Sequence, residues 1–294
     1  MAGASVAHPG WGSWSPDVSL WLLVITGAMY MLGSARTVTP ASRARSQRLR
    51  DVAFWAALAT LAIGLDSPID AFSEQLFWVH MVQHVLLMLV AAPLLVLAAP
   101  WLRLWRALPL GLRRSVARGL AGGRWAAPLR AAARWLGAPL PALAFFTVVL
   151  LGWHVPALFD ATLRSGAVHA LEHLMFVFAA VLLFKQVIDS PPLHARLGDA
   201  QRVLYMTAAM TVSWVLAVWL AIAPDPLYSH YAQLASRPSG ISALGDQQLA
   251  AGVMWVPGSV PFLLVILVYV HRWLTPATPN KSTAPRLAAG PWEG

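Results

Sequence analysis

Cysteine is absent from the 294 residues, and charged side chains make up only 11% of them. Without thiols there are no disulfides, thiolate metal sites or cysteine nucleophiles, so a metal would have to be held by His, Met, carboxylate or backbone oxygen. With 58% hydrophobic residues and a mean hydropathy of +0.62, the chain lacks the polar surface that a soluble domain of this length needs. The composition is that of an all-α polytopic membrane protein.

Seven apolar stretches approach or reach the roughly 17 to 25 residues that cross a bilayer. They lie near 18–34, 51–66, 76–99, 138–156, 167–187, 201–223 and 249–272, the second being the shortest. The expected division is an extracytoplasmic segment over 1–17, a seven-helix transmembrane domain over 18–272 and a disordered cytoplasmic tail over 273–294. Met1 to Pro16 has neither a basic nor an apolar signal-peptide region, so the first helix is expected to act as its own insertion signal.

The net charge of +9 would suit a nucleic-acid ligand, but its distribution argues for topology instead. Arginines gather at 36–50 and 103–134, and further basic residues follow at Lys185, Arg196, Arg202, Arg272, Lys281 and Arg286. Of the 21 Lys and Arg, only Arg164 and Arg237 fall on the opposite side, whose loops carry Asp66, Asp70, Glu74, Asp160, Asp225 and Asp246. The positive-inside rule then places the N-terminus outside and the C-terminus in the cytoplasm. The 100–137 loop alternates Arg with Leu, Trp and Ala, the pattern of a helix lying on the inner leaflet. Trp21, Trp78, Trp153, Trp219 and Trp273 fit an interfacial aromatic belt.

Against this apolar background stand two histidine pairs at i, i+4 spacing, His80/His84 and His169/His173. That spacing puts both rings of a pair on one helix face, and a buried imidazole costs free energy unless a partner, proton or metal satisfies it. The topology puts both pairs, and His154 at the end of the fourth helix, at one outer layer. A single such histidine reads best as a hydrogen-bonded structural ring; five converging from three helices, with Glu172 among them, read as a metal or cofactor site. Asp246 is a possible acidic ligand or a helix cap. Met81, Met88 and Met254 could add thioether sulfur, although methionine in an apolar helix is more often packing. His8 and His230 are expected outside, exposed and unassigned, His194 and His271 incidental on the cytoplasmic side.

Imidazoles suit zinc, copper, iron or nickel, and thioethers without thiolates lean towards copper, Cu(I) more than Cu(II). Two other readings stay open. Paired intramembrane histidines could ligate haem in an electron carrier. His169-Ala-Leu-Glu172-His173 also fits the H-x-x-E-H pattern of inverted zincins, which would make the chain a zinc-dependent membrane hydrolase.

The stretches His80-Met-Val-Gln-His84-Val-Leu-Leu, Ala92-Pro93-Leu-Leu-Val, Gly152-Trp-His154-Val-Pro156, His169-Ala-Leu-Glu172-His173 and Asp246-Gln-Gln-Leu-Ala-Ala-Gly-Val-Met254-Trp-Val-Pro257-Gly258 together resemble the multi-spanning CtaG-type cytochrome c oxidase assembly factors. The resemblance covers about 75–272 and rests on the order and spacing of the motifs together. It implies a non-enzymatic, seven-helix protein of the bacterial cytoplasmic membrane that helps to mature caa-type haem-copper oxidases and to deliver copper to them. The implied partners are oxidase subunits, extracytoplasmic copper chaperones and the lipid bilayer, with no nucleic acid. His80, His84, His154, His169 and His173 match the family's histidine positions, and Asp246 and Met254 lie in its C-terminal motif.

Overall fold

The computed structural model describes residues 12, 14, 17–234, 237, 238 and 240–275; His8, most of the expected 1–17 segment and the tail beyond Thr275 lie outside them. Among the described residues the chain is all-helical, with no strand beyond an isolated bridge between Ser190 and Leu193. Fourteen α-helices follow in order: α1 Val18–Ala35, α2 Ala44–Asp66, α3 Pro68–Ser73, α4 Phe77–Val85, α5 Ala92–Ala98, α6 Trp101–Ala107, α7 Leu110–Gly122, α8 Ala127–Leu136, α9 Pro139–Trp153, α10 Pro156–Arg164, α11 Gly166–Phe184, α12 Asp199–Ile222, α13 Ser229–Ala232 and α14 Ala243–Leu274.

Among the described residues, five spans are long and apolar enough to cross a membrane: α1, the continuous Phe77–Ala98 segment, α11, α12 and α14; the bent α8–α9 pair would make a sixth. The two remaining expectations fall short for identifiable reasons. Around the 51–66 stretch, α2 is long enough, but its N-terminal turns carry Arg45, Arg48, Arg50 and Asp51. The 138–156 stretch is shortened by Ala138 in extended backbone before Pro139 and by the end of α9 at Trp153, just before Pro156. Its 15 residues rise only about 22 Å, less than the ~30 Å hydrocarbon core, and α8 meets it at 89°.

Phe77–Ala98 is one span with a π-helical stretch, Leu86–Ala91, between α4 and α5. Pro93 explains it: proline donates no hydrogen bond and its ring crowds the carbonyl four residues earlier, so the preceding turn widens. The widened turn directly follows His84.

The main core joins α4, α9, α11, α12 and α14 through Phe77, Phe146, Phe176, Phe184, Met206 and Phe262. Trp153 belongs to this core and is buried, which corrects its expected place in an interfacial belt. A smaller cluster of Tyr30, Phe54, Leu58 and Ala98 fastens α1 to α2 and α5. The 100–137 region is not one surface helix. Its α6 docks against α1 so closely that a Cβ on Gly33 would collide with the Arg103 carbonyl oxygen. Arg36 reinforces this contact by donating to the carbonyls of Arg106 and Ala107. The following α7 has no buried residue, as its arginine-rich sequence leads one to expect.

Candidate metal centre

Each histidine pair takes the same register in its helix. His80 and His84 are the fourth and eighth residues of α4, and His169 and His173 the fourth and eighth of α11. The two helices begin at the same end of the bundle, so the pairs face one another. Ring centroids are 4.4 Å apart for His80–His84, 4.1 Å for His169–His173, 5.1 Å for His80–His169 and 5.6 Å for His84–His173. His154, the C-cap of α9, completes the group at 6.4 Å from His84. Phe159 and Phe176 pack against these rings and close the site with apolar surface.

Within this cluster His80, His84, Glu172 and His173 form the tightest set, with one ligand atom from each lying within 4.8 Å of all the others. All four side chains are buried. Nε2 of His80 and Nε2 of His84 are 2.9 Å apart, and each is 3.8 Å from a Glu172 oxygen. Both Glu172 oxygens, His84 Nδ1 and Nε2 of His154, His169 and His173 are buried without a hydrogen-bond partner. Buried polar atoms are normally paired, so this many orphans in one place favour an added ligand. Metal–nitrogen and metal–oxygen bonds of about 2.0–2.2 Å hold two ligand atoms at most about 4.4 Å apart. Ligand atoms around a tetrahedral ion with such bonds lie about 3.3–3.6 Å apart, so the widest pair of the set would draw together by about an ångström to hold one.

The surrounding elements fix which nitrogen each ring offers. Tyr231 on α13 donates its hydroxyl proton to the Ser73 carbonyl at 2.5 Å, and the same oxygen is 3.2 Å from His80 Nδ1. Burial, reinforced by nearby carboxylates, holds the Tyr231 phenol well above its ordinary pKa, so it remains a hydroxyl. Its one proton is spent on Ser73. His80 Nδ1 must therefore be the donor in the other contact, which leaves a lone pair on Nε2 facing His84 and Glu172. His154 is set in the same way, with Nδ1 2.7 Å from the Leu150 carbonyl and Nε2 left as a lone pair. A carbonyl or hydroxyl partner on the far nitrogen is the usual means of orienting a metal-ligating imidazole.

Asp246 lies at the same end but is engaged elsewhere. Its carboxylate accepts the backbone N–H groups of Phe77 and Trp78, both at 2.9 Å, and so caps the helix that carries His80 and His84. Its own helix, α14, is capped instead by Ser242, which accepts from Gly245 N–H. Asp160 holds α13 by accepting from the Ser229 hydroxyl and from the Ser229 and His230 amides. Sequence reasoning did not find Tyr231, Asp160, Phe159 or Phe176, because these partners are distant in sequence and share no periodicity with the histidines. Met81, Met88 and Met254 are buried beside His84 and His154. His230, expected exposed, is instead partly buried with Nε2 3.0 Å from the Glu74 carbonyl, while His194 and His271 are exposed.

No solved structure matches the chain. It is similar to two mycobacterial proteins, the uncharacterized protein Mb0105 of Mycobacterium bovis and the uncharacterized protein MT0111 of Mycobacterium tuberculosis. Each is 24% identical over 226 residues, covering 76% of this chain but 34% of the relative. The chain thus spans about a third of the length of these relatives. The model of the cytochrome c oxidase caa3 assembly factor family matches residues 28–275, which hold the whole histidine cluster and most of the chain. This is a member of the cytochrome c oxidase caa3 assembly factor family.

Proposed function

We propose that the protein helps to assemble a haem-copper cytochrome c oxidase by holding copper at the His80, His84, Glu172 and His173 group and passing it on. The observation that carries this reading is the convergence of buried, unpartnered imidazole and carboxylate atoms on one point, in a family named for oxidase assembly. His169 and His154 stand beside the group as exchangeable ligands. A donor needs moderate affinity, which neutral imidazoles supply better than a closed thiolate cage.

The role of the chain's own groups follows from their placement. Tyr231 and the Leu150 carbonyl keep His80 and His154 in the tautomers that leave Nε2 free, Asp246 anchors the start of α4, and Phe159 and Phe176 exclude water. Copper is cargo here, so the protein acts without catalysis. The bilayer orientation that suits this role has seven crossings, the N-terminus outside and the C-terminus cytoplasmic. The site then lies in the outer leaflet of the bacterial cytoplasmic membrane, where extracytoplasmic chaperones and the oxidase's membrane subunits can reach it. The haem alternative is disfavoured by ring packing, since the imidazoles contact one another and leave no slot for a porphyrin between them.

The test is made in cells. Replacing the native protein with His80→Ala/His84→Ala/Glu172→Gln/His173→Ala is expected to lower the copper content and activity of the oxidase while the variant still reaches the membrane. Normal copper loading of the oxidase in that strain would refute the proposal. Zinc in the purified protein, together with hydrolytic activity lost in Glu172→Gln, would point to the hydrolase alternative.

A further inference from the structure

A second feature adjoins the histidine cluster. A cavity of about 30 Å³, room for one or two water-sized occupants, lies between α4, the π-helical turn, α9, α12 and α14. Three methionines line it: Met81 from α4, Met88 from the π-helical turn and Met254 from α14. All three are buried. The other walls are mainly aliphatic and aromatic, and the imidazoles among them belong to His84 and His154. His154 is 2% exposed and its Nε2 has no partner, while His84 lines the same cavity and also faces His80 and Glu172.

Methionine alone would read as packing. Three thioethers gathered around one small, mainly apolar cavity with a fixed, unpaired imidazole nitrogen make a different set. Thioether and imidazole ligands without carboxylate favour Cu(I) over Zn(II) and over harder cations, whereas the neighbouring group contains a carboxylate and discriminates less between Cu(I) and divalent ions. The widened turn before Pro93 places Met88 beside this cavity, which gives that local irregularity a role.

We propose that this cavity is a Cu(I) site of its own, formed by Met81, Met88, Met254 and His154, and joined to the histidine–glutamate group through His84. Two sites on either side of the His84 ring let Cu(I) pass between them without crossing water. The inference rests on the proposed copper-handling role and selects the oxidation state carried.

The experiment uses the full-length protein in detergent, loaded anaerobically with Cu(I) against a competing chelator and examined by X-ray absorption. Wild type is expected to show sulfur scattering. Met81→Leu/Met88→Leu/Met254→Leu, which keeps core volume, is expected to lose that scattering. Its Cu(I) affinity should fall by more than the roughly 10- to 100-fold typical of altering an outer partner, with Zn(II) binding at the histidine–glutamate group unchanged. Should the triple variant fail to fold, as judged by lost Zn(II) binding, the three single Leu variants replace it, each expected to weaken the sulfur signal. Copper bound by nitrogen and oxygen only in wild type, or sulfur scattering and affinity unchanged in the variants, would overturn this inference alone. Failure of wild type to bind any copper would overturn the proposed function as well.

Discussion

The carboxylate of Asp246 and the backbone amide of Phe77, 169 residues apart in the chain, meet at 2.9 Å, and through this contact α14 fixes the start of the helix that bears His80 and His84. The second oxygen does the same for Trp78. A helix leaves its first N–H groups without internal partners. Here they are satisfied from another helix, so the depth and rotation of the histidine pair depend on α14.

Removing this cap is expected to destabilise the protein. Asp246→Ala leaves two N–H groups without their acceptor, at about 1–3 kcal/mol for each that stays buried and unpaired. Thermal unfolding in detergent should show a clear drop in Tm, and Asp246→Asn, which keeps one acceptor oxygen, should recover part of it. Equal stability of Asp246→Ala and wild type would show that α4 is held by packing alone.

Tyr231→Phe probes tautomer control without a change of shape. The variant removes the hydroxyl that accepts from His80 Nδ1, so His80 is free to present the wrong nitrogen. Metal affinity, measured by chelator competition, is expected to fall about 10- to 100-fold. Tyr231→Phe with wild-type affinity would mean that the ring is oriented by its neighbours and not by this bond.

A pH dependence follows from Asp70, which lies on α3 outside the spanning helices. Burial pushes its carboxyl up from 3.8 to about 6, against the opposing effect of the hydrogen bond it accepts from Gln83. The folded state therefore binds this proton more tightly than the unfolded chain does. Asp70 contributes stability that is full below pH 3.8 and lost as pH rises through about 6. Relative to Asp70→Asn, wild type should lose Tm between these values; a constant difference across that range would contradict it.

Gly33 tests the peripheral packing separately from the site. Since a Cβ there would collide with the Arg103 backbone, Gly33→Ala is expected to push α6 away from α1 and lower Tm while metal binding is unchanged. Unchanged Tm would show that α6 can shift without cost.

Much of the candidate site's clustering could be read from spacing alone, because i, i+4 pairs in apolar helices declare a shared face. His80, His84, His169 and His173 were visible for that reason, and charge asymmetry put both pairs in one layer. The contacts that orient them were hidden. Tyr231 and His80 are separated by 151 residues and Asp246 and Phe77 by 169, and no local pattern encodes such pairings. The helices were legible from their hydropathy, but the limits of α9 were not: Ala138 before Pro139 and the break at His154 shorten it below the apolar run. The turn widened ahead of Pro93 was equally hidden, since proline marks an irregularity without specifying its form.

The most direct measurement is the metal content of the purified protein after anaerobic Cu(I) loading, by mass spectrometry, beside that of His80→Ala/His84→Ala/Glu172→Gln/His173→Ala. A copper site built by these residues predicts stoichiometric copper in the wild type and the loss of at least one equivalent per chain in the variant. Equal copper in both, or none in the wild type, would contradict it.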